Sequence, residues 1–406
     1  MTRKALMILN APFPSDIRVS KEAGSLISNG MTVHLLCLRR TEEADREIVQ
    51  GIHVHRIKAG TNNFQLAFWD VVMSVSFIHP RFKKAMVTIL EQEKISVVHV
   101  HDLPLAGTAL SLKNKMNLVV IVDFHENYPE AIRTWFQWKT NLVSRLKNYL
   151  FLNPNRWARF EAETIRRADR IIAVVEEMKA RLILEHRADP EKIVVVTNTE
   201  EKSFAQQSLN PAVYASLPGK FTVTYSGGIG PHRGVDVAIQ AMQFLTDVPG
   251  IQLAIVGSAG RSVMKRLQRL INALGLRQVH FLGYQPFHSF YSFMHYADVN
   301  IIPHQSNGHT DNTVPHKLFQ GMMAGKPLLV SSSAPLKRLV EKYDSGLVFR
   351  AGDASDCANK IRTLYQDATL RGRLGANGRK ATLEGSLTWE TTQKELISVY
   401  ENLSKA

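Results

Sequence analysis

The stretch from His309 to Pro327 constrains the chain most, because it reads as a loop, a helix and a hard stop. Thr313 is placed to cap the helix start. Pro315 suits a first turn, where its missing N–H would go unpaired anyway. Gly325 is placed for a left-handed end, and Pro327 blocks continuation. A buried strand from Leu328 follows. Thr313, Lys317, Gln320 and Gly321 fall on one helical stripe, while Val314, Leu318, Phe319, Met322 and Met323 make an apolar face that can pack on a sheet. The exposed N–H groups at the helix start favour an anion such as a phosphate. An ordinary surface helix would carry the same caps and stripe, so its neighbours must decide.

Glycines 227, 228, 230 and 234 lie upstream, in the loop Gly227 to Gly234 between a strand, Phe221 to Tyr225, and a helix from Val235. Glycines there let backbone approach a phosphate, and Arg233 can pair with phosphate oxygens bidentately. This loop lacks the Gly-Lys-Ser/Thr of a Walker loop. Together the two turns describe helix starts at the C-terminal ends of parallel strands, where open α/β sheets bind ligands. Arg233 and Lys317 are the cations that would hold a diphosphate. The strand Ile251 to Val256 ends at Gly257 in the same way.

A chain of 406 residues has room for two or three domains. Strand–loop–helix units recur in both halves, which makes each an α/β domain with a parallel sheet. The expected division is 1–200, with 388–406 packing back on it, and 201–387. Thr197 to Leu217, polar and carrying Asn210-Pro211, reads as the linker. The formal net charge of +14 suits an anionic partner: a phosphorylated small molecule, a membrane surface or nucleic acid. Cys37 and Cys357 are far apart, which implies no disulfide framework and fits a reducing cytoplasm. The apolar run after Arg3 and Lys4 is short and reads as a first strand rather than a signal peptide. The longest apolar stretch, Phe64 to Ile78, carries Asp70 and is too short to span a bilayer.

Residues 127–168 read as helical. From Arg133 to Phe160 the charged residues are all basic, interleaved with aromatics such as Trp135, Trp138, Tyr149 and Trp157. That pattern suits a helix on an anionic membrane surface. A helical lid with core aromatics is the alternative, and nucleic acid is not expected. His99 and His101 share one face of a strand, but no carboxylate or cysteine completes a metal site at suggestive spacing. No metal ligand is assigned.

Several motifs now add up. The segment Asp16 to Ala23, the histidine turn His99 to Pro104, the Asp123, His125 and Glu126 turn, the entry Ala168-Asp169, and the loop Gly228 to Gly234 resemble the corresponding parts of retaining glycosyltransferases of family four. The resemblance runs nearly the whole length. It implies the GT-B fold, two Rossmann-like domains facing across a cleft, with the closing helix Trp389 to Leu403 crossing back to the first. It implies a metal-independent, retaining hexosyltransferase, of the branch that builds cell-surface polysaccharide. No cofactor is expected beyond a nucleotide-sugar donor, UDP-sugar ahead of GDP-sugar. The donor side would use Gly227, Gly228, Arg233, Gly257, Asn312, Thr313, Val314, Lys317 and Gln320. Arg233, Lys317 and, from the first domain, His101 would act in catalysis. Arg18, Asp102, His125 and Glu126 would face a glycan or polyprenyl-linked acceptor, which fits a cytoplasmic protein peripheral to the inner membrane face. The chain departs from the family in one respect. The family's two glutamates on the opening helix fall at Asn312 and Gln320 here, and neither is acidic. A nucleotide-sugar 2-epimerase of similar fold, or an inactive basic binding protein of transferase ancestry, are the competing readings.

Overall fold

The computed structural model describes residues 3–14, 16–40, 42–58, 63–135 and 152–403. Most of the Arg133 to Phe160 stretch therefore lies outside the described residues. The chain divides into two compact units. The first gathers the residues up to Arg133, those up to Thr197 beyond the undescribed stretch, and Gln393 onward. The second is Asn198–Thr392, with Thr134 and Trp135.

The first unit is built on eight strands: β1 (Lys4–Pro12), β2 (Thr32–Leu38), β3 (Arg46–Val49), β4 (Ile52–Ile57), β5 (Val97–His101), β6 (Val119–Phe124), β7 (Arg170–Ala173) and β8 (Ile193–Val195). Their order across the sheet is β3-β4-β2-β1-β5-β6-β7-β8, and the pairs are parallel except β3 with β4. Strands such as β1 and β6 are continuous apolar runs because helices cover both faces. The edge strand β3 is polar and mostly exposed, so it left no apolar signal in the sequence. The apolar stretch from Phe64 lies in the first of two helices, Asn63–Ser76 and Pro80–Glu93, parted where Phe77 turns left-handed at φ 55°. Phe77 stacks on Phe160 with centroids 4.0 Å apart, and Trp157 packs edge-on against both. The C-terminal aromatics of the basic stretch are thus core, Trp157 and Phe160 both being buried.

The second unit has six strands, β9 (Phe221–Ser226), β10 (Ile251–Val256), β11 (Val279–Gly283), β12 (Val299–Ile302), β13 (Leu328–Ser331) and β14 (Gly346–Phe349), all parallel, in the order β11-β10-β9-β12-β13-β14. Val223, Ile255, Val299 and Leu329 project from the sheet into one core. This is the doubly wound order, whose direction reverses between β9 and β12. In the first unit the reversal lies between β1 and β5. The segment expected as a linker is not one. Phe204 packs with Tyr291, Met294 and Met323, so residues 198–217 belong to the second unit's packing. Among the described residues, no helix is long and apolar enough to cross a membrane.

Candidate active site

At the second unit's reversal point, β9 ends in the glycine loop and β12 leads to the helix His316–Met323. That helix is shorter than the sequence suggested. It begins at His316 with Pro315 in the capping position, and Thr313 stays extended at φ −150°, ψ 153°, outside the helix. The cause is Pro315, which bars the preceding Val314 from the helical region. Thr313 therefore leaves the polar stripe, while Lys317, Gln320 and Gly321 keep it. The stop is as expected, with Gly325 at φ 70°. Val314 is a core residue, and Asn312 spends its amide on the loop, donating to Gly308 O at 2.8 Å.

Lys317 is the centre of this region. Its side chain is half-buried overall, but its Nζ is enclosed and has no hydrogen-bond partner. The ammonium sits 3.8 Å from the centre of the Tyr225 ring, a cation–π contact. Burial, then Arg233, push its pKa well below that of an ordinary lysine. The backbone is drawn in around it. A Cβ on Gly227, at φ 122°, would lie 3.0 Å from Nζ, and one on Gly257, at φ 147°, would collide with Gly227 O. Those two glycines let the ends of β9 and β10 draw close together beside the ammonium group. Gly228 accepts from the Tyr225 hydroxyl at 2.6 Å, which orients the ring beneath Lys317.

The histidines near the key helix are not all solvated. His304 and His309 are buried. Burial and then Arg233 depress both His304 and His232, so each is neutral. His304 Nε2 lies 3.4 Å from Arg233 Nη1 and can accept from it. Lys317, Arg233 and two neutral imidazoles therefore share the place, and Arg233 is the charge that acts on Lys317 among the described residues. Burying like charges together is unfavourable unless an anion joins them.

Gln320 is buried, and its amide donates to Glu200 Oε2 at 2.7 Å. The helix thus does have a carboxylate against it, supplied by the residues just before the second unit's first strand. The sequence could not show this pairing, because 120 positions separate the partners.

The first unit collects a different set of groups. Asp16 caps the helix Ile17–Ser28 and grips Arg18 by two hydrogen bonds, 3.0 and 2.7 Å. Burial opposes charge on both, but the pair more than offsets it, holding the Asp16 carboxyl far below its usual range. Asp102 sits at φ 64°, ψ 162°, a conformation almost reserved for glycine. It is held there as its N–H donates to Asp123 O and its Oδ1 accepts from His125 N at 3.2 Å. Burial lifts the Asp102 carboxyl to about 6, against the pull of His125 and Arg18. Burial and Arg18 push His125 down, yet Asp123 and Asp102 hold it above the ordinary histidine value. Arg18, Asp102 and His125 are therefore one electrostatic cluster. Glu126 is half-buried beside it and acts on Asp102. His101 is almost wholly buried and stacks on His99 at 4.5 Å. The carboxylates missing from the sequence reading of these histidines are present: Glu22 and Asp123 lie beside both. They come from a helix and from the neighbouring strand, so no local spacing revealed them.

Each unit is doubly wound, and the second gathers Lys317 and Arg233 at its reversal point, a place suited to an anion. Comparison with known proteins gives the family. Residues 17–199 match the sequence profile of the glycosyl transferase 4-like domain, and residues 207–381 that of glycosyl transferases group 1. The chain belongs to the GT-B glycosyltransferases of the family-four type and is a glycosyltransferase. It is similar to an uncharacterized glycosyltransferase, MJ1178, of Methanocaldococcus jannaschii, at 24% identity over 78% of each chain. It also matches the D-inositol 3-phosphate glycosyltransferase of Nocardia farcinica at 27% identity, over 59% of this chain and only 54% of that one. Among solved structures, sucrose-phosphate synthase from Thermosynechococcus elongatus superposes with a TM-score of 0.80, at 17% identity and 99% coverage of both chains. Anabaena HepE, solved in complex with UDP and glucose, gives 0.75 at 15% identity and full coverage of both. At those identities the structures bear on the fold alone.

Proposed function

We propose that the protein is a retaining, metal-independent hexosyltransferase. Its donor is a nucleotide-diphospho-sugar, UDP ahead of GDP, and its acceptor a glycan or polyprenyl-linked glycan of cell-surface polysaccharide assembly. The observation that carries the donor half is the Lys317 ammonium, buried beside Arg233 with no hydrogen-bond partner. A diphosphate supplies the missing acceptor oxygens and the missing negative charge. As the sugar–phosphate bond breaks with oxocarbenium character, charge grows on the departing diphosphate, where Lys317 and Arg233 stabilise it. Such preorganised stabilisation is usually the largest single term in catalysis. Gly227, Gly228 and Gly257 would let the phosphates approach the backbone. Gln320 and Glu200 together would present the carboxylate that the helix itself lacks. HepE was solved with UDP bound, which supports the ranking of UDP over GDP. The retaining course, the roles of Arg18, His101, Asp102, His125 and Glu126, and a location at the inner membrane face rest on the family resemblance.

A thermal-shift panel of nucleotide sugars tests this reading. UDP-sugars should raise the melting temperature more than GDP-sugars, and Lys317→Ala and Arg233→Ala should lose the shift. No shift with any nucleotide sugar, or equal shifts in both variants, contradicts the donor assignment. Release of UDP with an epimerised sugar and no acceptor present would instead point to the 2-epimerase.

A further inference from the structure

The first unit gathers four buried donor groups, of which the transferase reading uses His101 and leaves Glu22, His99 and Asp123 unexplained. Glu22 from the helix Ile17–Ser28, His99 and His101 from β5, and Asp123 from β6 each offer one ligand atom, and these atoms all lie within 4.8 Å of one another. All four side chains are buried. Glu22 Oε2 stands 3.8 Å from His99 Nε2 and 4.0 Å from His101 Nδ1. Asp123 Oδ2 stands 3.7 and 3.6 Å from the same two nitrogens. These separations are too long for hydrogen bonds. Glu22 Oε2 and His99 Nε2 accordingly have no hydrogen-bond partner, which is rare for buried polar atoms.

The same separations suit an ion. A tetrahedral metal about 2.1 Å from each ligand needs donor atoms about 3.4 Å apart, so the acid–imidazole separations of 3.6 to 4.0 Å would draw in when an ion binds. The surrounding groups fit as well. A metal-bound histidine commonly spends its other nitrogen on an oriented partner. His99 Nδ1 lies 2.7 Å from the Tyr400 hydroxyl, and His125 Nε2 lies 2.8 Å from Asp123 Oδ2.

We infer that Glu22, His99, His101 and Asp123 form a binding site for one divalent transition-metal ion, with Zn²⁺ the best match to two imidazoles and two carboxylates. Four protein ligands close the coordination sphere, so the role is structural. The ion ties the first helix to β5 and β6 and, through Tyr400, to the last helix. Burial and then Asp123 hold the Glu22 carboxyl well above its ordinary value, so a cation would be welcome there.

The test uses tag-free, full-length protein, stripped with a chelator, reloaded with Zn²⁺ and gel-filtered before elemental analysis. One equivalent of zinc per chain is expected, with a raised melting temperature. Co²⁺ in place of Zn²⁺ should give the intense visible bands of a four-coordinate nitrogen–oxygen site. Glu22→Gln is the informative variant, since an amide mimics the protonated acid and preserves the fold without metal. It should stay folded by circular dichroism and lose the zinc, while Tyr400→Phe should bind about tenfold more weakly. Substoichiometric zinc in the wild type, a six-coordinate Co²⁺ spectrum, or full zinc content in Glu22→Gln would overturn the site.

Discussion

The two units carry their buried charge in opposite ways. In the first, two arginines each have a counter-ion of their own. Arg18 is held by Asp16, and Arg181 by Glu161 through two hydrogen bonds of 2.8 and 3.0 Å, with His186 on the same carboxylate. In the second, Lys317 is enclosed with only Arg233 acting on it among the described residues. Both units use the same doubly wound topology, so fold alone does not set this difference. Internal pairing makes charge part of the framework. Leaving a cation unpaired at the reversal point keeps its electrostatic potential for a ligand, at the expense of stability.

The comparison can be broken most forcefully in the framework. Glu161→Ala removes the buried partner of Arg181, leaving it only the more exposed Glu185 at 3.2 Å, and should lower unfolding stability by about 3 kcal/mol, read from the urea midpoint. Arg181 and His186 hold the Glu161 carboxyl below its ordinary value of 4.5, despite burial. Its contribution is therefore full above that value and fades as pH falls through the lower, folded one. The wild type should lose stability in that acid window, and Glu161→Ala should show less of the loss. An equal loss in both would mean that other carboxylates govern it.

Next comes the ligand-directed charge. Lys317→Ala should reduce turnover roughly 10²–10³-fold, about 2.7–4 kcal/mol of transition-state stabilisation, with its circular dichroism unchanged. Stability should move the other way from Glu161→Ala. Lys317→Met replaces an unpaired ammonium with an apolar chain and should stabilise the unliganded protein by ~1–2 kcal/mol. If Lys317→Met instead melts earlier, the ammonium has an internal partner and the contrast between the units fails. The smallest effect belongs to Glu200→Gln. It weakens the acceptor for the Gln320 amide and should cost about 1 kcal/mol of donor affinity, measured by calorimetry.

Much of the framework was legible because it is written locally. Apolar runs such as Ile251 to Val256 announce buried strands, and Gly325 with Pro327 announces a helix stop. The family motifs, from Asp16 to the glycine loop, drew the fold. The errors have local causes as well. Pro315 outweighed Thr313 at the helix start, because a steric restriction on Val314 is stronger than a capping preference. The strand Arg46–Val49 escaped notice because an exposed edge needs no apolar pattern. What the sequence could not display is convergence. Arg233 and Lys317 could be paired in advance because each lies at a recognisable turn. Glu200 beside Gln320, and Glu22 and Asp123 beside His99, meet only once the sheets have formed. His304 and His309 looked like loop residues, yet they line the cationic pocket from a segment that folds inward.

The most direct test of the central claim is proton uptake when UDP binds. Calorimetry in two buffers of different ionisation enthalpy, from neutral to mildly alkaline pH, measures it. Burial and Arg233 depress Lys317 in the free protein, and a diphosphate beside it restores the charged form. Wild-type protein should therefore take up a fraction of a proton per UDP, increasingly so as pH rises through the depressed pKa, and Lys317→Met should take up less. Tight UDP binding with no proton uptake at any pH in that range would show that the buried ammonium is not what receives the diphosphate.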